Sequence, residues 1–481
     1  MKVLLLTPPN LANERTLGFI SVGLPLGIAY LGAVLERLGH EVNLLDGLMS
    51  GFVAGMKPEA LTAEDRQTLV RISRGVARKS PAGDEFPPGT FYVGRPFAEI
   101  AAEAARFAPD ILGISVNFSS QFKGALALAR YLKEALPAIP IVFGGSHVTV
   151  SPRSVLLEAA VDYIVQGEAE HSLPRLLQAI EAGRPPDDIA GVGYKKADGS
   201  LVTRPAELFY DLDELPLPAY HLLPMEDYFA AAAEGRLVKM YTSRGCTFTC
   251  TFCSVPFTSQ RRFRTHSPER VVAELAEWVK RYRIEAVMFE DDNMSLNPRR
   301  FHRIFELIAQ RNFGLKLYAR NFRCDIMRLE TMKLMRQCGF ETVWITPESG
   351  NERVLREVID KRMDLGDIED AVGRIHAAGL KSAAAFVIGM PGEKWAEIQD
   401  TVAFARKLKG WGVSEFWISI ATPIEGSRMY DTCIRQGLID GMDLNNFSYL
   451  DGTFDTDEFT AASLNRLRDD LMQELNARPA H

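Results

Sequence analysis

Three cysteines crowd into eight positions of this 481-residue chain, in the run Arg244-Gly245-Cys246-Thr247-Phe248-Thr249-Cys250-Thr251-Phe252-Cys253. Thiolates are soft ligands suited to zinc or to the iron of an iron–sulfur cluster. A structural zinc site ordinarily takes four protein ligands. The remaining cysteines, Cys324, Cys338 and Cys433, lie far along the chain and form no second pair. Three clustered thiolates match a 4Fe–4S cluster whose remaining iron stays open to a substrate or cofactor. Six cysteines in a chain of this length do not make a disulfide framework.

A second set of small and polar residues sits nearer the N-terminus. It comprises Ser115, Asn117 and Ser119, then Gly144 and Gly145, then Gly167 and Glu168. Each group ends a short apolar run. Glycines there let a ligand approach the backbone, and hydroxyls offer hydrogen bonds; three tight strand-to-helix turns are the plain alternative. No G-x-G-x-x-G follows the first apolar run and no G-x-x-x-x-G-K-[ST] occurs. A dinucleotide or nucleoside triphosphate ligand is therefore unsupported.

The elements that must position these residues alternate in type. Short apolar strands are expected at Val3–Leu6, Glu41–Leu45, Asp110–Val116, Ile141–Phe143 and Tyr163–Val165, with helices between them. This is an α/β pattern, a doubly wound parallel sheet that takes its ligand beyond the strand carboxyl ends. The insertion 51–95 carries a basic stretch and a Pro/Gly-rich piece, read as a solvated face or a lid. From Leu237 to Ala421 six strand-then-helix units follow, near Val238–Thr242, Ala286–Phe289, Leu315–Ala319, Thr342–Thr346, Ser382–Ile388 and Glu415–Ile420. Eight would complete a barrel; six make a partial (β/α)6 TIM-type barrel. Ser267 and Pro268 mark one helix start. The expected domains are 1–185, a proline-rich linker 186–235, the partial barrel 236–430, and a small helical C-terminal tail 431–481.

Lys plus Arg number 55 and Asp plus Glu 62, a net charge of −7. That balance excludes a general nucleic-acid binder. No stretch reads as membrane-spanning, and the first apolar run is too short for a signal peptide. A cytoplasmic protein is the expectation.

The second module resembles the radical S-adenosylmethionine family. In that family the open iron chelates the amino and carboxylate groups of S-adenosylmethionine, and one electron cleaves a C–S bond to release a 5′-deoxyadenosyl radical. The resemblance implies that Phe252 packs near the adenine. Glu290 or Asp291, in Glu290-Asp291-Asp292-Asn293, would hold the methionine amino group. Glu348 and Ser349 would contact the ribose, Met390 in Gly389-Met390-Pro391-Gly392-Glu393 the adenine, and Pro423 would close the sixth strand. The first module resembles the cobalamin-binding domain, a Rossmann-like fold, through Ser115-x-Asn117 followed by Gly144-Gly145. The family's Asp-x-His-x-x-Gly is absent, and Thr7 to Leu26 hold no histidine to ligate cobalt. His40 reads as a solvated surface residue rather than a cobalt ligand, and His147 either as a capping or surface residue or as a contact to the nucleotide tail.

Joined in this order, the two modules resemble cobalamin-dependent radical S-adenosylmethionine enzymes. Many of these methylate unactivated carbon or phosphorus of a small-molecule substrate, and others cyclise, rearrange or oxidise. The implied cofactors are a 4Fe–4S cluster, S-adenosylmethionine and cobalamin. The implied partner is an external electron donor such as flavodoxin or ferredoxin. The intact cysteine triad argues against a non-catalytic corrinoid carrier.

Overall fold

The computed structural model describes residues 1–12, 23–49, 91–442 and 448–477. The basic stretch and the lid expected between 51 and 90 fall outside the described residues. The chain forms two compact units, Met1–Gly235 and Arg236–His481.

The first unit contains β1 (Lys2–Thr7), β2 (Asn10–Ala12), β3 (Glu41–Asp46), β4 (Phe91–Val93), β5 (Ile111–Ser115), β6 (Ile141–Gly144), β7 (Tyr163–Val165), β8 (Val192–Lys195) and β9 (Leu201–Thr203). One sheet runs β3-β1-β5-β6-β7-β8-β9. Its first five strands are parallel; β8 and β9 add an antiparallel edge. Val3 to Leu6 are all buried, as a strand covered on both faces requires. Helices Phe97–Phe107 and Phe122–Ala135 press Phe97, Ile100, Leu128 and Leu132 onto Leu4, Ile114 and Phe143. Strand order reverses between β1 and β5, so the ligand crevice of such a sheet opens at their carboxyl ends.

Residues 186–235, expected as a linker, lie inside this unit. Leu212, Leu215, Tyr220, Tyr228 and Phe229 are interleaved with the prolines and all are buried. Ala219 N donates to Ala29 O at 2.9 Å, and the Tyr228 hydroxyl donates to Asp46 at 2.6 Å. Proline content signals stiffness here, and the apolar anchors fix where the stiff chain lies.

The second unit contains β10 (Leu237–Met240), β11 (Ser243–Arg244), β12 (Arg264–Thr265), β13 (Ala286–Phe289), β14 (Lys316–Ala319), β15 (Thr342–Glu348), β16 (Lys381–Ile388) and β17 (Glu415–Ile420). The six long strands run parallel in chain order as β10-β13-β14 and β15-β16-β17. Parallel bridges Leu317–Phe340 and Phe322–Ile345 connect the two halves. This is the expected partial barrel. Ser267 caps helix Pro268–Tyr282, its hydroxyl accepting from Arg270 N. The tail helix Ala461–Asn476 buries Leu464, Leu471 and Leu475. It also supplies backbone partners to β17: Asn476 bonds Phe416 N and O at 2.9 and 3.0 Å, and Arg468 Nε donates to Ile418 O at 3.2 Å. Among the described residues no helix is long and apolar enough to cross a membrane.

Gly145 joins β6 to the next helix at φ +105°, where a Cβ would come within 2.5 Å of the Val116 carbonyl. Gly145→Ala should cost about 2 kcal/mol or more, because both the conformation and the backbone contact resist a side chain. A thermal melt of the full chain reads this as a fall of several degrees.

Candidate active site

The cysteine run leaves β11 as a loop that other segments clamp. Thr251 N donates to Ile359 O at 2.8 Å, and the Thr251 hydroxyl donates to Val358 O at 2.7 Å. The Thr249 hydroxyl donates to Asp360 at 2.8 Å. Met429 N donates to Thr251 O at 2.8 Å. Arg428 donates to Thr249 O and, at 2.6 Å, to Asp360. Two segments more than a hundred residues downstream therefore fix the loop in place. Gly245 begins the loop at φ +87°; a Cβ there would meet the Arg262 carbonyl.

All three sulfurs are partly exposed and each shifts upward through burial, Cys253 to about 12. The three cysteines lie within eight residues on this one loop. Arg323 and Lys361 offset the rise at Cys250, and the Asn293 amide offsets it at Cys246. Among the described residues no three His, Cys, Asp or Glu side chains converge on a single metal ion. A cubane places each thiolate on a different iron, so its donors need not converge. Cationic neighbours compensate the charge three thiolates would bring. The loop fits a cluster better than a mononuclear zinc.

The strand ends around the loop carry the other expected residues, in unequal roles. Both Asp291 oxygens accept from Thr242, and Ser243 donates as well. Asp291 is buried and braces β13 against the end of β10. Glu290 pairs with Lys239 at 2.7 Å. Asp292, passed over in the sequence, is the exposed carboxylate, accepts from Gly245 N at 2.8 Å, and acts electrostatically on Cys246 and Cys253. Glu348 ends β15 at φ 67° and pairs with the buried Lys361 at 2.8 Å. Ser349 is fully buried, its hydroxyl 3.0 Å from that of Thr401. Glu393 accepts from Gly389 N and Met390 N at 2.7 and 2.9 Å, shaping that turn. Met390 and Pro423 are buried and Phe252 is partly exposed. Arg323 lies over the Phe248 ring at 3.9 Å and pairs with Asp325, whereas Arg320 is exposed. Cys324, Cys338 and Cys433 are buried.

In the first unit, Ser115, Ser119, Gly144 and Gly145 are partly exposed and Asn117 is exposed at the β5 and β6 carboxyl ends. Gln121 ties this rim to the start of β2, donating to Asn10 at 2.9 Å and accepting from Asn117 N at 3.2 Å. His147 is buried, its Nδ1 at 3.0 Å from the Ser119 hydroxyl. Burial lowers its pKa to about 4, so it is neutral, and its Nε2 has no partner among the described residues. An orphaned buried nitrogen on this rim fits a ligand with polar groups. Gly167 and Glu168 are turned to internal use: Ala206 packs on Gly167, and the Glu168 carboxylate accepts from Phe209 N at 2.8 Å. His40 lies at the opposite ends of the strands, 3.4 Å from the N-terminal amine.

A profile of the Radical SAM superfamily matches residues 240–405, and one of the B12 binding domain matches residues 88–177. An uncharacterised methyltransferase of Pyrococcus horikoshii is 31% identical over 469 residues, spanning 97% of this chain and 90% of the relative. The chain belongs to the cobalamin-dependent radical S-adenosylmethionine family. Its cofactors are a 4Fe–4S cluster, S-adenosylmethionine and cobalamin. Among other members, the cytidylyl-2-hydroxyethylphosphonate methyltransferase of Streptomyces wedmorensis is 27% identical over 91% of this chain and 83% of its own length. The anaerobic magnesium-protoporphyrin IX monomethyl ester cyclase of Rubrivivax gelatinosus is 29% identical over 64% of this chain and 57% of its own. The fold matches the cobalamin-dependent radical enzyme OxsB (TM-score 0.73, 17% identity, 97% of this chain, 66% of that one). It also matches the methyltransferase TsrM of Kitasatospora setae (TM-score 0.67, 18% identity, 92% and 79%).

Two outcomes test the geometry of this radical enzyme. Asp360→Ala removes the acceptor shared by Thr249, Arg428 and Arg362, at a cost of about 2 kcal/mol to the loop. Iron bound per chain after anaerobic reconstitution should fall well below wild type while the fold, read by circular dichroism, persists. Burial raises the Glu393 carboxyl to about 7. Folding then takes up a proton between the ordinary carboxyl range and about 7, so this group's contribution to stability declines as pH rises through that window. Denaturation of Glu393→Gln from pH 5 to 8 should lose this part of the slope.

Proposed function

We propose that this enzyme is a methyltransferase acting on an unactivated carbon or phosphorus of a small-molecule substrate. The observation that carries the reading is similarity along 97% of the chain to a relative named a methyltransferase. The phosphonate methyltransferase relative supports it over 91%. Thr7 to Leu26 hold no histidine, so this segment would offer none to a bound cobalamin.

When bound, the cluster supplies one electron for cleaving S-adenosylmethionine, and cobalamin carries a methyl group. The chain's own residues bind and orient. Cys246, Cys250 and Cys253 hold the cluster. Asp292, beside Cys246 and Cys253, receives the methionine amino group, with Asp291 fixing the turn from behind and Glu290 held by Lys239 at its edge. Glu348, oriented by Lys361, accepts from the ribose hydroxyls. The Gly389–Met390 turn, shaped by Glu393, and Phe252 flank the adenine, with Pro423 behind. Ser115, Asn117, Ser119, Gly144 and Gly145 line the cobalamin site, with His147 Nε2 offered to a polar group of the ligand. Gly167 and Glu168 support that site through the segment they hold. Such positioning is the protein's share of the chemistry. An external one-electron donor completes the cycle, and the expected location is the cytoplasm.

A second reading, cyclisation without methyl transfer, is favoured by the cyclase relative. Incubation with methyl-deuterated S-adenosylmethionine separates the two. Methylation yields S-adenosylhomocysteine, 5′-deoxyadenosine and labelled product together; cyclisation yields 5′-deoxyadenosine and unlabelled product. Cys250→Ala should abolish 5′-deoxyadenosine, and its persistence would defeat the cluster assignment.

A further inference from the structure

We propose that Phe257, Arg261 and Arg262 form the docking surface for an acidic electron-transfer protein of the flavodoxin type. The inference rests on the assignment of the cluster to Cys246, Cys250 and Cys253.

The surface begins where the cysteine loop ends. The short helix Val255–Thr258 starts two residues after Cys253. Phe257 on it is 53% exposed, a large apolar ring turned to solvent. Arg261 and Arg262 follow, both exposed. Neither guanidinium has an ion pair or side-chain hydrogen bond among the described residues. Two adjacent cations are left unneutralised in a chain whose net charge is −7.

The backbone under them is held against its own preference. Gln260 and Arg261 both take left-handed conformations, at φ 50° and 56°. Each such conformation costs on the order of 1 kcal/mol for a residue with a side chain. Bonds from Gln260 N to Phe257 O, Arg261 N to Pro256 O and Arg262 N to Ser259 O, at 3.2, 3.1 and 2.9 Å, keep the turn closed. The Ser259 hydroxyl donates back to Val255 O at 2.7 Å. The Arg262 carbonyl packs on Gly245, the residue before Cys246. The turn is thus tied to the cysteine loop at both ends, through Gly245 to Cys246 and through the helix to Cys253.

Electron transfer weakens steeply with distance, so a donor must dock within a few residues of the cluster. Here the near surface offers one exposed aromatic followed by two exposed cations. A flavodoxin presents the complement, the apolar edge of its flavin ringed by carboxylates. Opposite charge steers the encounter and an aromatic anchors it, which suits the small, transient interfaces of redox partners. In the step itself the carrier loses one electron and the cluster gains it; no bond forms and no proton moves.

The test uses the full reconstituted chain and the double variant Arg261→Glu/Arg262→Glu. Flavodoxin binding is measured by calorimetry, and cluster reduction by its paramagnetic signal, with either flavodoxin and its NADPH-dependent reductase or dithionite. Binding and flavodoxin-driven reduction should weaken about ten-fold or more, and the steep salt dependence of wild type should flatten. Reduction by dithionite should stay at the wild-type rate, and Arg261→Lys/Arg262→Lys should behave as wild type. Unchanged flavodoxin binding overturns the proposal. So does an equal loss in the dithionite arm, which would make the turn scaffolding for the cluster, or charge dependence seen with a ferredoxin and not with flavodoxin. A wild-type chain that gains no signal even with dithionite defeats the cluster assignment itself.

Discussion

Everything in the second unit depends on how one loop is held by segments far from it in sequence. A ten-residue run of cysteines, threonines and aromatics has little reason to stay extended. Its threonines resolve this by spending their hydroxyls and amides on Val358, Ile359 and Asp360, while Arg428 closes the clamp from the other side. Each bond is modest alone, about 1 kcal/mol net. Together they preorganise the three partly exposed cysteines that would hold a cluster. The segment 358–362 is itself unusual: it follows a π turn, and Asp360 and Arg362 take left-handed conformations. Strain is concentrated where the loop is gripped.

The carboxylates divide labour around that loop by burial. Asp291 and Glu393 are sunk into the fold and accept only from the protein, so they set the shape of strand ends. Asp292 accepts from Gly245 N at the start of the loop, and Glu348 pairs with Lys361. One motif, Glu-Asp-Asp-Asn, therefore contains an ion-paired residue, a brace and an exposed acceptor in succession, as alternation along an extended segment dictates.

Much of this was legible because it is local. The cysteine spacing, the six strand ends and the Ser267 cap can each be read within a few residues. The assignments that shifted involve partners distant in sequence. Nothing near Asp291 reveals that Thr242 and Ser243 will claim it, and nothing near Glu168 announces Phe209. Lys361, Asp360 and Arg428 carry no motif, since their roles arise only when β15 and β17 end beside the loop. The stretch 186–235 misled for another reason: its prolines are conspicuous and its buried aromatics are scattered singly.

The tail helix Ala461–Asn476 does more than cover apolar surface. By handing Asn476 and Arg468 to the outward peptide groups of Phe416 and Ile418, it occupies hydrogen-bonding positions that an incoming strand would seek. An incomplete barrel has such a rim by construction. Here a helix seals it with side chains, so the sheet can stay unclosed and the molecule still resist stacking through that rim with its own kind.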